Sequence, residues 1–313
     1  MSKALTTMVD AATLAVATPY FGWDLLRDVQ ELFRYTFMQH AFEAGTIVAL
    51  SAGLIGYFVV LRGLSFAAHG LSHIGFAGAT GAVLLGLPPI AGLLLLTTGA
   101  GAVMGALGQR LRGRDVTIGI VMAWSLGLGL LFTALYRGSA SRAIGILFGE
   151  IFGISTQEVA VTAVAGTLIL VALAVIYRPL LFATLDEEVA DARGVPVRAL
   201  SIVFVIILAV AVSEAVQAVG VLLIFSLIVA PAAIAERFTR RPSRGLLLSA
   251  LLAVLFTWAA LSVAYYLPYP VGFFITTFAS GSYVLARFLS YFVARRTTGR
   301  APALREAQVR HSP

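Results

Sequence analysis

The 313-residue chain contains no cysteine, and its single lysine is Lys3. The first absence removes disulfides, thiolate metal sites and thiol nucleophiles together. The second removes any phosphate-cradling loop of the G-x-x-x-x-G-K-[ST] type, whose lysine must reach the β- and γ-phosphates. ATP hydrolysis, if the chain depends on it, is therefore the work of a separate subunit. Charge is scarce as well, with Asp, Glu, Lys and Arg making up 12% of residues against 59% hydrophobic. A soluble domain carries about 25% charged residues. None of the four histidines (His40, His69, His73, His311) is followed by glutamate, which excludes an H-E-x-x-H metalloprotease helix. No G-x-S-x-G occurs to support a hydrolase reading of Ser65 or Ser72 beside His69.

What fills the chain instead is a series of long apolar runs rich in Leu, Ala and Gly. Backbone polar groups cannot be left unpaired in lipid, so such runs cross a membrane as helices. The pattern predicts an all-α polytopic transmembrane bundle of about nine spans (eight to ten), near 41–61, 70–88, 90–108, 116–136, 158–178, 199–214, 218–236, 246–266 and 271–293. Pro88 and Pro89 break the second run from the third and predict a tight hairpin. The stretch 199–236 is too long for one span. Glu214 and Gln217 interrupt it, and the predicted turn falls at Ser213 to Ala218, on the outer surface.

Arginine sets the orientation. Of the 22 basic residues, most lie in "QRLRGRD" (109–115), "RPLLFATLDEEVADARGVPVR" (178–198), "ERFTRRPSRG" (236–245) and the tail. These connections read as cytoplasmic, which puts the N-terminus outside and the C-terminus inside. The net charge of +7 is then mainly a topology signal. No basic stripe with interleaved aromatics suggests nucleic acid.

Three regions follow. Residues 1–40 form an N-terminal segment in which "WDLLRDVQELFRYTF" makes an amphipathic helix, lying in the interface or packing on the bundle as a partial tenth span. Its first 20 residues resemble a signal peptide, but Asp10 breaks the apolar core and Lys3 alone makes a thin charged region, so spanning and processing both stay open. Residues 41–293 are the membrane domain, and 294–313 form a basic cytoplasmic tail without an apolar face, expected to be disordered.

Two features carry chemistry. In "RGLSFAAHGLSHIGFAG" (62–78), His69 and His73 stand four residues apart and share one helix face. Ionisable groups in a span tend to line a cavity and mark the path of a solute. The other feature is "LLFATLDEEVADARGVPVRALS", where Asp186, Glu187, Glu188 and Asp191 occupy helix-forming positions before Arg193 and Gly194. It predicts a short helix near 182–196, capped by Gly194. Two roles remain open for it, a docking element for a partner or a solvated linker.

The stretches "FVVLRGLSFAAHGLSHIGFAGATGAVLLG" (58–86), "LDEEVADARGVPV" (185–197) and "VGVLLIFSLIVAPAAIAERF" (219–238) resemble the zinc/manganese permease family of bacterial ATP-binding-cassette importers, over about residues 37 to 293. The resemblance implies a multi-pass permease in the bacterial inner membrane that works as a homodimer. It also implies that the permease receives a divalent metal from a periplasmic binding protein and is driven by two copies of a cytoplasmic ATPase subunit. The chain itself is then a transport subunit, not an enzyme, and holds no permanent cofactor. ATPase coupling falls to Asp186, Glu187, Asp191 and Gly194.

One position departs from the family pattern. Where the family commonly has an aspartate, in a sequence like "GDALSH", this chain has His69, and the family histidine is His73. Neutral imidazole suits zinc, whereas manganese prefers oxygen ligands. The expectation is a zinc station at His69 and His73, with Glu43 or Glu214 as outer-gate ligands. The rival readings are a secondary metal transporter and a lipid-modifying intramembrane enzyme. The first wants several midplane ionisable groups and the second wants paired carboxylates at a cavity. Glu43, Glu150 and Glu214 all map toward outer ends instead.

Overall fold

A computed structural model describes residues 30–107, 114–136, 145, 147, 149–221, 224–267 and 269–298. Among them the chain is helical without strands. The helices are α1 (Thr36–Leu61), α2 (Ser65–Leu84), α3 (Pro89–Leu107), α4 (Arg114–Leu135), α5 (Thr156–Leu185), α6 (Glu187–Ala192), α7 (Val197–Val219), α8 (Ile224–Phe238), α9 (Pro242–Tyr266) and α10 (Val271–Thr298), with a 3-10 turn at Ile151–Gly153 before α5.

Seven of these helices, α1, α3, α4, α5, α7, α9 and α10, are long and apolar enough to cross a membrane. Two more fill the remaining expected positions but fall short of that measure. Two histidines, two serines and four glycines dilute the apolarity of α2, and α8 has 15 residues. At a rise of 1.5 Å per residue α8 is about 22 Å long, less than the hydrocarbon core of about 30 Å.

The outer surface, unlike that of a soluble domain, is apolar over long stretches. In α5 the residues Val161, Val164, Leu168, Val171 and Val175 form an exposed apolar stripe, and Trp124 on α4 is exposed too. An apolar surface of that extent belongs against lipid or another subunit. The interior is built around α1 and α7, whose apolar windows are 67% buried, against 17% for α4.

Small residues let the helices touch backbone to backbone. A Cβ on Gly53 would sit 2.7 Å from Ala250 Cα, and one on Gly56 would run into the Ile228 carbonyl oxygen. Gly78 and Gly92 meet face to face across α2 and α3, and Gly105 abuts Ile202 Cα. These are the crossings expected of small residues at helix-contact spacing. Ser249 Oγ donates to the Gly53 carbonyl at 2.6 Å and ties α9 to α1.

One sequence expectation is corrected. The turn placed at Ser213 to Ala218 does not exist, because α7 passes straight through it and ends at Gly220 with φ +89°. Polar residues there suggested a surface turn, yet Ser213 and Glu214 are buried between helices. Of the expected amphipathic helix 23–37 only the end is described, and it is not continuous: residues 30–32 are helical, 33–35 form a turn, and Thr36 already begins α1. Residues before 30 and after 298 lie outside the described residues, and α10 runs through Thr298.

Candidate metal site on the second helix

A tight turn launches α2 from α1. Arg62 and Leu64 N–H groups donate to the Phe58 and Val59 carbonyls at 2.9 and 2.8 Å, and Gly63 takes φ +64° between them. Only glycine adopts that conformation without penalty. Eight residues into α2 stands His73, only 6% exposed, while His69 one turn earlier is half-buried.

The two imidazoles face one another. Their Nε2 atoms are 3.3 Å apart and the rings meet edge to face at 89°. In the neutral pair one Nε2–H can donate to the other's lone pair. Both Nδ1 atoms are buried without a hydrogen-bond partner. Two nitrogens bound at about 2.0–2.1 Å to a tetrahedral zinc lie about 3.3 Å apart, so the spacing is already that of two neighbouring ligand positions. Ser72 Oγ donates to the His69 carbonyl at 2.7 Å, so its hydroxyl is engaged with backbone and makes no dyad with an imidazole.

The pair lies beside a break in the backbone. After Gly220 the chain leaves α7, and α8 starts at Ile224, where the Phe225 ring packs on His69 at 5.3 Å between centroids. Interrupted helices at membrane depth are tolerated where they are buried in protein or line a cavity. Neither Phe225 nor Gly220 was singled out from the sequence for this site. The glycine in "AVGVLL" was the available signal.

The expected acidic ligands stand elsewhere. Both α2 and α7 start from the end of the bundle that carries α6, because Arg62 at the α1–α2 turn bonds to Ser201 near the start of α7. Glu214 lies at a similar depth to His73, since Thr97 meets Ser213 at 2.7 Å and would meet a Cβ on Gly75 at 3.0 Å, but it does not join the imidazoles. Glu43 is exposed near the opposite end of α1. Among the described residues no three His, Cys, Asp or Glu side chains converge. Glu214 is 5% exposed, and its carboxylate, without a hydrogen-bond partner, faces Gly166 and Ser51.

Toward that opposite end a cavity of about 290 Å³ is lined by Glu150, Glu158, Gln217, Thr162, Ala79 and Leu93, among others. Beneath it Thr97 and Ser213 join their hydroxyls at 2.7 Å.

At the other end, α6 has the predicted form. Asp186 Oδ1 accepts from the Val189 N–H at 3.0 Å as the N-cap, and Gly194 closes the element with φ +82°. Glu187, Glu188 and Asp191 are exposed. The span before it, α5, continues past the expected limit of residue 178 to Leu185, carrying Pro179 inside it.

A bundle of this kind, with a paired-imidazole site beside a broken helix and an acidic helix at one end, defines a polytopic membrane transport protein. The chain belongs to the ABC 3 transport family, whose model matches residues 34–290. It is 29% identical to the manganese transport system membrane protein MntC of Halalkalibacterium halodurans, covering 83% of this chain and 89% of that protein. It is also 26% identical to the manganese import system permease protein ScaB of Streptococcus parasanguinis, over 84% and 94%. Among solved structures it is similar to PsaBC from Streptococcus pneumoniae in complex with Fab, with TM-score 0.76, 25% identity, and 84% of this chain and 95% of that one covered. The chain is a permease subunit of an ATP-binding-cassette metal importer, a multi-pass bacterial membrane protein.

Proposed function

We propose that the chain imports a divalent transition metal across the bacterial inner membrane, as one half of a homodimeric permease with about nine spans, N-terminus outside and C-terminus inside. Two copies of a cytoplasmic ATPase drive it and a periplasmic binding protein delivers the ion. The observation that carries the reading is the His69–His73 pair, with Nε2 atoms 3.3 Å apart and no third donor in the same chain among the described residues. Two donors hold a metal weakly, which suits a carrier that must release its cargo. Glu43, exposed near the outer end of α1, and Glu214, buried deeper in α7, serve as acidic gate residues. The Asp186, Glu187, Asp191 and Gly194 element docks on the ATPase.

For the ion, donor chemistry favours zinc, since imidazole nitrogen suits zinc and manganese prefers oxygen. The second reading is manganese, and the names of the relatives favour it. A secondary transporter is disfavoured by the lack of a converging set of ionisable groups among the described residues.

The test is uptake by the permease reconstituted with its ATPase and binding protein in lipid vesicles, with zinc-65 and manganese-54 in competition. Uptake that requires ATP and prefers zinc is the expected result. Uptake without ATP contradicts the importer, and a manganese preference contradicts the donor argument.

A further inference from the structure

Arg62 stands in the turn between α1 and α2, and its guanidinium reaches two other helices. Nη1 donates to Thr184 Oγ1 at 3.2 Å, Nη2 donates to Ser201 Oγ at 2.7 Å, and Cζ lies 5.7 Å from the centre of the Phe204 ring. Thr184 is the penultimate residue of α5, and Ser201 lies in the second turn of α7. One side chain therefore grips both helices that bracket α6. Thr184 is itself held, since its hydroxyl donates to the Leu180 carbonyl at 2.6 Å.

On the other side the connection is short. Arg62 is three residues from the start of α2 and seven from His69. The intervening turn is fixed by Arg62 N–H to Phe58, Gly63 N–H to Val60 and Leu64 N–H to Val59. Such a turn passes on displacement instead of absorbing it. Bonds from a planar charged fork, one face of which lies on an aromatic ring, are stronger and more directional than those of a neutral donor.

We propose that Arg62 is a positioning residue that transmits movement of α6, and of the α5 and α7 ends around it, to the helix that carries His69 and His73. This rests on the importer reading, in which the ATPase moves α6. Arg62 touches no metal in this scheme; it fixes how much of each ATP-driven movement arrives at the imidazoles.

The experiment counts metal transported per ATP hydrolysed in vesicles of phosphatidylethanolamine and phosphatidylglycerol holding the permease with its ATPase and supplied with the metal-loaded binding protein. Zinc and manganese are both used as probes, so the choice of ion does not enter. Arg62→Gln should lower the ratio by about tenfold or more, since both charge-assisted bonds are lost from an equilibrium between two arrangements. Arg62→Lys, which offers a point charge without the fork, should fall between Gln and wild type.

The paired variant Thr184→Val with Ser201→Ala keeps the arginine and removes both acceptors, and it should behave like Arg62→Gln. This variant decides the matter if Arg62→Gln does not fold. A contact that only stabilises the bundle would reduce hydrolysis and uptake together through less assembled complex, with the ratio unchanged; that outcome overturns the proposal. Failure of the importer reading itself would show in the wild-type protein, as uptake indifferent to ATP.

Discussion

His69 and His73 hold their Nε2 atoms 3.3 Å apart across one turn of α2, with both Nδ1 atoms buried and unpartnered. That spacing matches two neighbouring positions on a tetrahedral metal once both rings carry their proton on Nδ1 and leave the Nε2 lone pairs free. His73→Ala and His69→Ala should each cut zinc uptake at least tenfold, because a two-donor set that loses one nitrogen has no chelate left. Co-purification of the ATPase should be unchanged. Uptake at the wild-type rate in both variants would make the pair structural.

Ligand type should set the preference between ions. His69→Asp replaces a nitrogen donor with oxygen at one of the two positions, and the ratio of manganese to zinc uptake should rise. Competition between the two isotopes measures it, and a ratio unmoved by the change would place selectivity outside this pair.

Gly194 should be intolerant for backbone reasons alone. Its φ is +82°, yet a Cβ there would meet nothing within 4 Å. Gly194→Val therefore tests the left-handed cap and not packing, at a cost of about 1–2 kcal/mol for the conformation. Hydrolysis should lose its metal stimulation while the protein stays in the membrane. Normal stimulation in the variant would count against a docking role for α6.

Helix contact predicts a different failure. A Cβ on Gly101 would lie 3.0 Å from Ala209 Cβ and 3.1 Å from the Val205 carbonyl oxygen. Gly101→Leu must push α3 from α7, at about 1–3 kcal/mol or more. Yield of folded protein by size-exclusion chromatography should fall, and wild-type yield together with wild-type activity would refute the contact.

Features that depend on neighbours along the chain were legible. Apolar run length marked the helices, Pro88 and Pro89 marked the break between α2 and α3, and the acidic stretch ending in Gly194 announced α6 and its cap. The four-residue spacing of His69 and His73 announced a shared face. Features that depend on distant residues were not. Glu214 looked like a surface interruption because nothing local shows that Ser51 and Gly166 enclose it. The helix therefore ran on to Gly220, the first residue whose conformation ends it. Phe225 against His69, and Arg62 bridging Thr184 to Ser201, join residues more than a hundred positions apart, and spacing cannot reveal such pairs. Arg62 did sit in the "LRGLSF" element that carried the family resemblance, but its role became readable only from its bonds.

The most direct test is zinc uptake by wild-type and His73→Ala permease, each assembled with the same ATPase in the same vesicles and supplied with the same zinc-loaded binding protein, with and without ATP. The account predicts uptake that needs ATP in the wild type and is lost in the variant while ATP hydrolysis by the assembled complex remains. Equal, ATP-dependent uptake by the two proteins would contradict it.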